Sequence, residues 1–443
     1  MLETIQELLS HRMFKELKKY LELKAPEDIA IALNDLSDED IVLAFRLLSK
    51  ETASDVFVDL DSDLQEKLIN LFSDKELKEV IDNLFEDETV DVISEMPADV
   101  VERILNSVSK EHRKNINRLL HYPDDSAGSM MTTEYIDFNE KMTIEDALNH
   151  IREVGTDRED VYTGYVLGKD RKLLGIVDAS DLVLNDNNMK VTEVMNENMI
   201  LIQTLDDQEE VGKLFKKYNE TSLPVVDTDG HMVGIITLDD AIDVIKEETE
   251  EDFEVMAAVL PNDDTYFKTS VFKHAKNRMV WLLILMLSSA FTGAIISNYE
   301  AAFSSLPILV AFIPMIMDTG GNCGSQASTL VIRGLAIDEI EPKDFLKVIF
   351  KELFVAIGVG IILAVANGIR IMIQYKDFKL SITLGITLIL TTIMAKLIGG
   401  ILPIVAKRLK LDPAIMAAPL ITTIVDTCAV FAFFNVAVAV MGL

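Results

Sequence analysis

The sequence predicts a multi-domain α-helical membrane protein: an N-terminal all-α superhelical domain, a tandem α/β domain, an acidic connecting helix and five transmembrane helices. Three observations predict it. Charge is segregated, because the 443 residues carry a net charge of −32, yet residues 1–272 hold 27 Lys and Arg against 63 Asp and Glu while the rest holds 14 against 10. A strand-helix-strand-strand-helix pattern occurs twice in tandem. Five stretches in the last part are apolar and long enough to cross a hydrocarbon layer of about 30 Å.

Residues 1–128 read as consecutive short amphipathic helices without strands, which suggests a wound stack of helices. Ser62-Asp-Leu-Gln65 and Ser73-Asp-Lys-Glu76 fit the capping-box pattern ahead of apolar-periodic runs. The start, MLETIQELLSHRMFKELKKY, is charged and amphipathic, so no cleavable signal peptide is expected.

After the hinge-like YPDDSAG at 122–128 the pattern changes and repeats. YVLGKDRKLLGIVDASDLV at 165–183 matches LPVVDTDGHMVGIITLDDAI at 223–242, with Gly175-to-Asp181 and Gly234-to-Asp240 at identical spacing. Each copy follows a helix, 144–154 or 209–218. The two units, spanning 129–244, resemble the tandem CBS domain, which implies regulation of whatever it is attached to. The connecting segment, 245–272, continues an acidic helix: nine carboxylates occur in the sixteen residues 239–254 with one lysine. Such a run is either a solvated face or a cation-binding one, since like charges at i,i+4 destabilise a helix unless neutralised.

The apolar stretches, within 273–443, are 279–297, 301–332, 353–373, 380–406 and 414–443. Lys273, Lys276, Arg278, Arg333, Lys343, Lys347, Lys351, Lys407, Arg408 and Lys410 flank one side, and Arg370, Lys376 and Lys379 the other. The positive-inside rule then places the N-terminus in the cytoplasm and the C-terminus outside. The second stretch contains MDTGGNCGSQAST, where Gly320, Gly321 and Gly324 sit beside Asp318, Asn322 and Gln326. A helix broken at membrane depth is expected there, with a glycine packing interface as the alternative. The fifth stretch holds a lone carboxylate, Asp426, whose insertion costs about 2.5–3.5 kcal/mol, so an ion path or proton relay is the default reading. Pairing with Lys396 is the structural alternative, and Lys396 itself is expected to snorkel. Pro419, Thr422 and Thr423 would turn oxygens toward the same lumen, and oxygen-only ligands suit hard cations such as Mg2+.

Several classes are disfavoured. A strongly negative soluble part repels nucleic acid. The two cysteines, Cys323 and Cys428, both fall in apolar stretches, so no disulfide framework is expected. An intramembrane metalloprotease needs an HExxH helix, which none of the six histidines supplies, and no enzymatic activity is expected. A pore of carboxylate and carbonyl without buried arginine argues against an anion channel.

Taken in order, the helical acidic domain, CBS pair, acidic helix and five spans, with GGNCGSQAST at 320–329 and Asp412, Pro413, Pro419 and Asp426, are similar to the MgtE magnesium channel/transporter family over essentially the whole chain. The resemblance implies a homodimer in the cell (inner) membrane, with a pore along its two-fold axis. Asp426 and Asp412 would contact Mg2+ in the pore, lined by Gly320, Gly321, Asn322, Gln326, Pro419 and Thr423. A cytosolic sensor is implied at Asp55, Asp87 and Asp91, at Asp207 and Glu209 in the second CBS unit, and at Asp240, Asp243, Glu248, Glu251 and Asp252. Asn219 stands where a carboxylate can occur, and Ala418 replaces an amide found in some relatives. Bound Mg2+ would bridge facing carboxylates and close the pore. A proton-coupled divalent cation exchanger and an adenine nucleotide at the CBS pair stay open.

Overall fold

The computed structural model describes residues 1–262, 266–267, 269–299 and 307–442. It divides into two compact units, Met1–Lys246 and Glu247–Leu443.

The first unit opens with ten helices: α1 (Leu2–Ser10), α2 (Phe14–Leu21), α3 (Pro26–Asn34), α4 (Asp38–Phe45), α5 (Lys50–Val58), α6 (Ser62–Leu71), α7 (Asp74–Ile81), α8 (Glu86–Ser94), α9 (Ala98–Ser107) and α10 (Lys110–Leu119). Packing skips a neighbour: α3 lies on α5, α5 on α7, α7 on α9 and α8 on α10, which winds the chain into a superhelix. Phe45, Phe57 and Phe72 meet at its centre, with ring centroids 5.4–6.5 Å apart. Side chains of Ser37, Ser49, Ser73 and Ser109 accept backbone N–H groups at helix starts, each satisfying a donor the helix cannot.

Ser73 and Glu76 form the expected capping box. Ser62 does not, because the helix already includes it and Gln65 turns inward. Gln65 Nε2 donates to the Phe57 and Val58 carbonyls at 2.9 and 3.1 Å. That amide closes the C-terminal end of α5 instead of the N-terminal end of α6.

The tandem domain comprises β1 (Tyr135–Asn139), α11 (Ile144–Val154), β2 (Asp160–Leu167), β3 (Leu173–Asp178) and α12 (Ala179–Leu184), then a short α13 (Val191–Val194). The second copy is β4 (Ile202–Gln203), α14 (Gln208–Tyr218), β5 (Ser222–Val226), β6 (Met232–Thr237) and α15 (Leu238–Met256). Each sheet has a parallel first pair and an antiparallel second pair, and Gly175 opposite Val166 is matched by Gly234 opposite Val225. The repeated glycine has a steric cause. A Cβ at Gly175 would stand 3.0 Å from the Asn196 carbonyl oxygen, and one at Gly234 2.6 Å from that of Thr132. In both copies a crossing segment bridges to the strand there. The hydroxyls of Tyr165 and Ser222 join the two copies at 2.8 Å. One apolar core runs from Ile5 through Val225, Ile236 and Ala241, uniting the helical domain with the second copy. Asn219 is the left-handed C-cap of α14, φ 55°, a place where asparagine is favoured on backbone grounds.

The second unit contains α16 (Val271–Asn298), a 3-10 turn (Pro307–Phe312), α17 (Ile313–Ala336), α18 (Phe345–Gln374), α19 (Phe378–Arg408), a 3-10 turn (Pro413–Met416) and α20 (Ala418–Met441). Among the described residues α16, α18, α19 and α20 are long and apolar enough to cross a membrane. α17 is about 36 Å long by helical rise but too polar to qualify on composition. The expected start of that span, 301–306, lies outside the described residues.

The break expected at GGNCGSQ is absent: α17 runs unbroken through it. Its glycines make room for neighbouring helices. A Cβ at Gly320 would lie 2.8 Å from Thr391 and 3.0 Å from Val425, one at Gly321 2.8 Å from Thr422, and one at Gly324 2.7 Å from Ile421. Close helix packing through small residues is what the motif provides here.

Candidate ion-conducting and ion-sensing sites

The two faces of α17 differ. Gly320, Gly321 and Gly324 are buried, whereas Asp318, Asn322 and Gln326, spaced i, i+4, i+8, are exposed. That spacing lines three oxygen-bearing side chains along one stripe of α17. Against the same helix lies α20 with Asp426. One of its carboxylate oxygens, Oδ1, is buried without a hydrogen-bond partner among the described residues, and the charge of Asp318 reaches it. A carboxylate kept in this setting is costly unless a cation visits it.

Lys396 is not that cation. It is 4% exposed, lies by the Cys323 thiol and makes no ion pair among the described residues; the expected snorkelling is therefore also absent.

Pro419 stands in the first turn of α20, where a missing N–H costs nothing, so it starts the helix and does not bend it. Thr422 and Thr423 donate their hydroxyls to the Ala418 and Pro419 carbonyls at 2.7 and 2.9 Å, leaving their oxygen lone pairs as acceptors. Asp412 Oδ1 accepts the Ala414 N–H at 2.8 Å, capping the turn that leads into α20. Ser328 ties α17 to that turn through the Met416 carbonyl, 2.6 Å. These contacts set the position of α20 against α17.

In the first unit a second carboxylate group assembles from four elements. Asp87 on α8 is 5% exposed, and its Oδ1 is buried without a partner among the described residues. Burial, then the charges of Asp240, Glu159, Glu88 and Asp91, push its ionisation well above the usual carboxylate range. Burial, then the charges of Asp240, Glu88, Asp239 and Glu134, raise Glu159, just before β2, to about 8. Asp240 at the start of α15 is raised to about 6, chiefly by burial; hydrogen bonds from Thr237 partly oppose this, and Asp239 and Asp243 add to it. Burial also raises Asp55 and Asp59 on the α5 side, with Glu27 pressing on both and Asp243 on Asp59. Among the described residues Asp55, Asp59, Asp87, Glu88, Glu159 and Asp240 make no ion pair with Lys or Arg. So much negative charge with an orphaned buried oxygen suits a divalent cation with oxygen ligands.

Asp55, Asp87, Asp91, Asp240 and Asp243 are thus brought together. Asp207 and Glu209 have local partners instead: Asp207 caps α14 by accepting the Glu209 N–H at 2.9 Å, and Glu209 pairs with Lys213 at 2.9 Å. Glu248, Glu251 and Asp252 lie on α15 beyond Lys246, in the second unit. Asp59, Glu88 and Glu159 were not expected. Glu88 reads from sequence as a helix-start residue, and it does accept the Phe85 N–H at 2.8 Å; Asp59 reads as a helix end.

The profile of the MgtE divalent cation transporter family matches residues 313–436, that of the MgtE intracellular N domain residues 24–125, and that of the CBS domain residues 127–186 and 191–247. The chain is 32% identical to magnesium transporter MgtE of Thermus thermophilus over 98% of this chain and 97% of that protein. It is 30% identical to magnesium transporter MgtE of Bacillus subtilis over 98% and 95%. Its first half is similar to the crystal structure of the cytosolic domain of the Mg2+ channel MgtE in complex with ATP, with TM-score 0.53, 31% identity, and coverage of 55% of this chain and 100% of that one. The soluble part of a magnesium transporter gives TM-score 0.52 at 26% identity, over 56% and 97%. With profiles matching in order and relatives aligned almost end to end, the chain belongs to the MgtE family of magnesium transporters.

Proposed function

We propose that this transporter is a Mg2+ channel that its own cytosolic unit closes when Mg2+ is abundant. The observation that carries the pore assignment is the buried, unpartnered Oδ1 of Asp426 within electrostatic reach of Asp318. Mg2+ sheds water reluctantly, so the ion passes largely hydrated, held by Asp426 and by the amides of Asn322 and Gln326 through its waters. A polar stripe exposed on a membrane helix needs a wet or protein-lined neighbour. A second copy supplies it: two chains face each other across a two-fold axis with Asp426 of each in the pore and Asp412 at its cytoplasmic mouth. The N-terminus is cytoplasmic and the C-terminus outside.

The functional divisions are 1–128, 129–244, a connecting helix within 245–272, and the pore domain 273–443. At low Mg2+ the carboxylates of Asp55, Asp87, Asp91, Asp240 and Asp243 repel and hold the helical domain and CBS pair apart. Bound Mg2+ bridges them, Glu248, Glu251 and Asp252 follow on the same helix, and influx stops. Each ion favours the closed form only by its differential affinity, so several weak sites acting together sharpen the response. The similar cytosolic domain in complex with ATP supports an adenine nucleotide at the CBS pair as a further ligand. The family is one of transporters, and no enzymatic step is assigned to the chain.

Mg2+ uptake into proteoliposomes with and without an imposed pH gradient tests this reading. A channel gives the same uptake in both; uptake that stops without the gradient assigns the chain to proton-coupled exchange.

A further inference from the structure

The second unit contains a pocket of about 260 Å3 where the connecting helix meets the first span, lined by Phe253, Glu254, Tyr266, His274, Asn277 and Arg278 among others. It is a built feature. The chain leaving α15 folds back, so that the Leu260 N–H donates to the Asn277 carbonyl at 3.1 Å. His274 Nε2 meets the Tyr266 carbonyl at 2.9 Å, the two rings lying 4.9 Å apart. The Asn262 N–H occupies one oxygen of Glu254 at 2.8 Å. Arg278, an exposed lining residue, makes no ion pair among the described residues.

Position and surroundings indicate the occupant. Arg278 lies two turns into α16, a helix long and apolar enough to span a membrane, so the pocket sits at the membrane-water boundary. Beside its lining residues Tyr266 and His274 in the chain, large apolar side chains stand exposed: Phe267 97%, Val271 86% and Phe272 81%. They continue into the exposed apolar surface of Met279, Val280 and Leu283 along the span. Aromatic, apolar and basic groups at one level are the composition of a bilayer interface. We propose that this pocket binds the phosphodiester headgroup of an anionic phospholipid, with Arg278 and the Tyr266 hydroxyl on the phosphate and the acyl chains along α16. Because Phe253 and Glu254 of the connecting helix also line the pocket, the lipid braces the end of that helix against the first span.

The test uses the full chain in nanodiscs of phosphatidylcholine with and without phosphatidylglycerol, followed by native mass spectrometry after partial delipidation. Phosphatidylglycerol is expected to be retained in preference to phosphatidylcholine. Arg278→Ala should lower that retention about fivefold, the worth of roughly 1 kcal/mol per basic residue near an anionic surface. Arg278→Lys should keep most of it, which separates loss of charge from loss of fold. Equal retention by wild type and Arg278→Ala overturns the proposal. So does an equal loss in Arg370→Ala, on the opposite side of the membrane, or displacement of the lipid by millimolar inorganic phosphate, which would make the pocket a small-anion site. None of these readouts depends on Mg2+ flux.

Discussion

The carboxylate of Asp240, at the start of α15, raises the cost of ionising Asp87 on α8, a side chain only 5% exposed. The helical domain and the second CBS unit share one core, so this repulsion acts across a joint that apolar packing otherwise favours. The joint is thereby poised between apolar burial, which favours it, and charge repulsion, which a bound cation would offset.

A pH dependence follows. Asp240 is displaced from an ordinary 3.8 to about 6 and Glu159 from 4.5 to about 8. Groups raised on folding contribute stability that is complete below about pH 4 and is lost as pH rises toward 8. In EDTA the first unit of the full chain should therefore loosen between pH 5 and pH 8.5, with a midpoint lower by roughly 5 °C or more. Saturating Mg2+ should remove most of that difference. Hydrogen exchange at the amides of α8, corrected for intrinsic rate, reads the effect; protection independent of pH in EDTA would contradict it.

Asp87→Asn keeps the shape and removes one buried charge. Without Mg2+ it should stabilise the first unit by about 1 kcal/mol or more, since one pKa unit is worth about 1.4 kcal/mol, and it should shrink the Mg2+-dependent gain. Thermal midpoints with and without Mg2+ supply the comparison. A variant that loses stability in EDTA yet keeps the full Mg2+ response would show that Asp87 serves packing alone.

The architecture was legible because its signals are local or periodic: caps for α7, the Gly-to-Asp spacing for the two CBS copies, and long apolar runs for four spans. What the sequence hid depends on three-dimensional neighbours. Gly320, Gly321 and Gly324 suggest a broken helix when read alone, yet they are fitted to Thr391, Thr422, Val425 and Ile421 on helices 60 or more residues away. Gln65 reads as a cap because spacing cannot tell whether an amide turns outward or reaches the Phe57 carbonyl. Asp59, Glu88 and Glu159 carry no spacing signal, since their cluster exists only once α5, α8, β2 and α15 meet.

Gly399 on α19 lies against the Gly324 carbonyl of α17, and a Cβ there would collide with backbone that cannot move aside. Gly399→Val should destabilise the membrane unit by about 1–3 kcal/mol or more, the ordinary cost of overpacking. Gly293, with nothing near its Cβ position, serves as the matched control. Unfolding in mixed detergent is the measurement, and equal midpoints for the two variants would rule out a tight α17–α19 contact.

The Asp318–Asp426 pair supplies the most direct test of conduction. If Asp426 holds the passing ion, its removal costs a charge-assisted contact worth about 1.5–3 kcal/mol, or roughly ten- to a hundredfold in uptake at 1.4 kcal/mol per decade. Asp426→Ala should show that loss while inserting normally, because the change removes a carboxylate from an otherwise apolar helix. Asp318→Asn should lose less, since its side chain is exposed and acts on the ion through the field it shares with Asp426. Combining the two should cost less than the product of the single losses, as expected for charges that serve one ion. Fluorimetric Mg2+ uptake in proteoliposomes, normalised to correctly inserted protein, distinguishes these outcomes. Undiminished uptake by Asp426→Ala would remove this carboxylate from the pore.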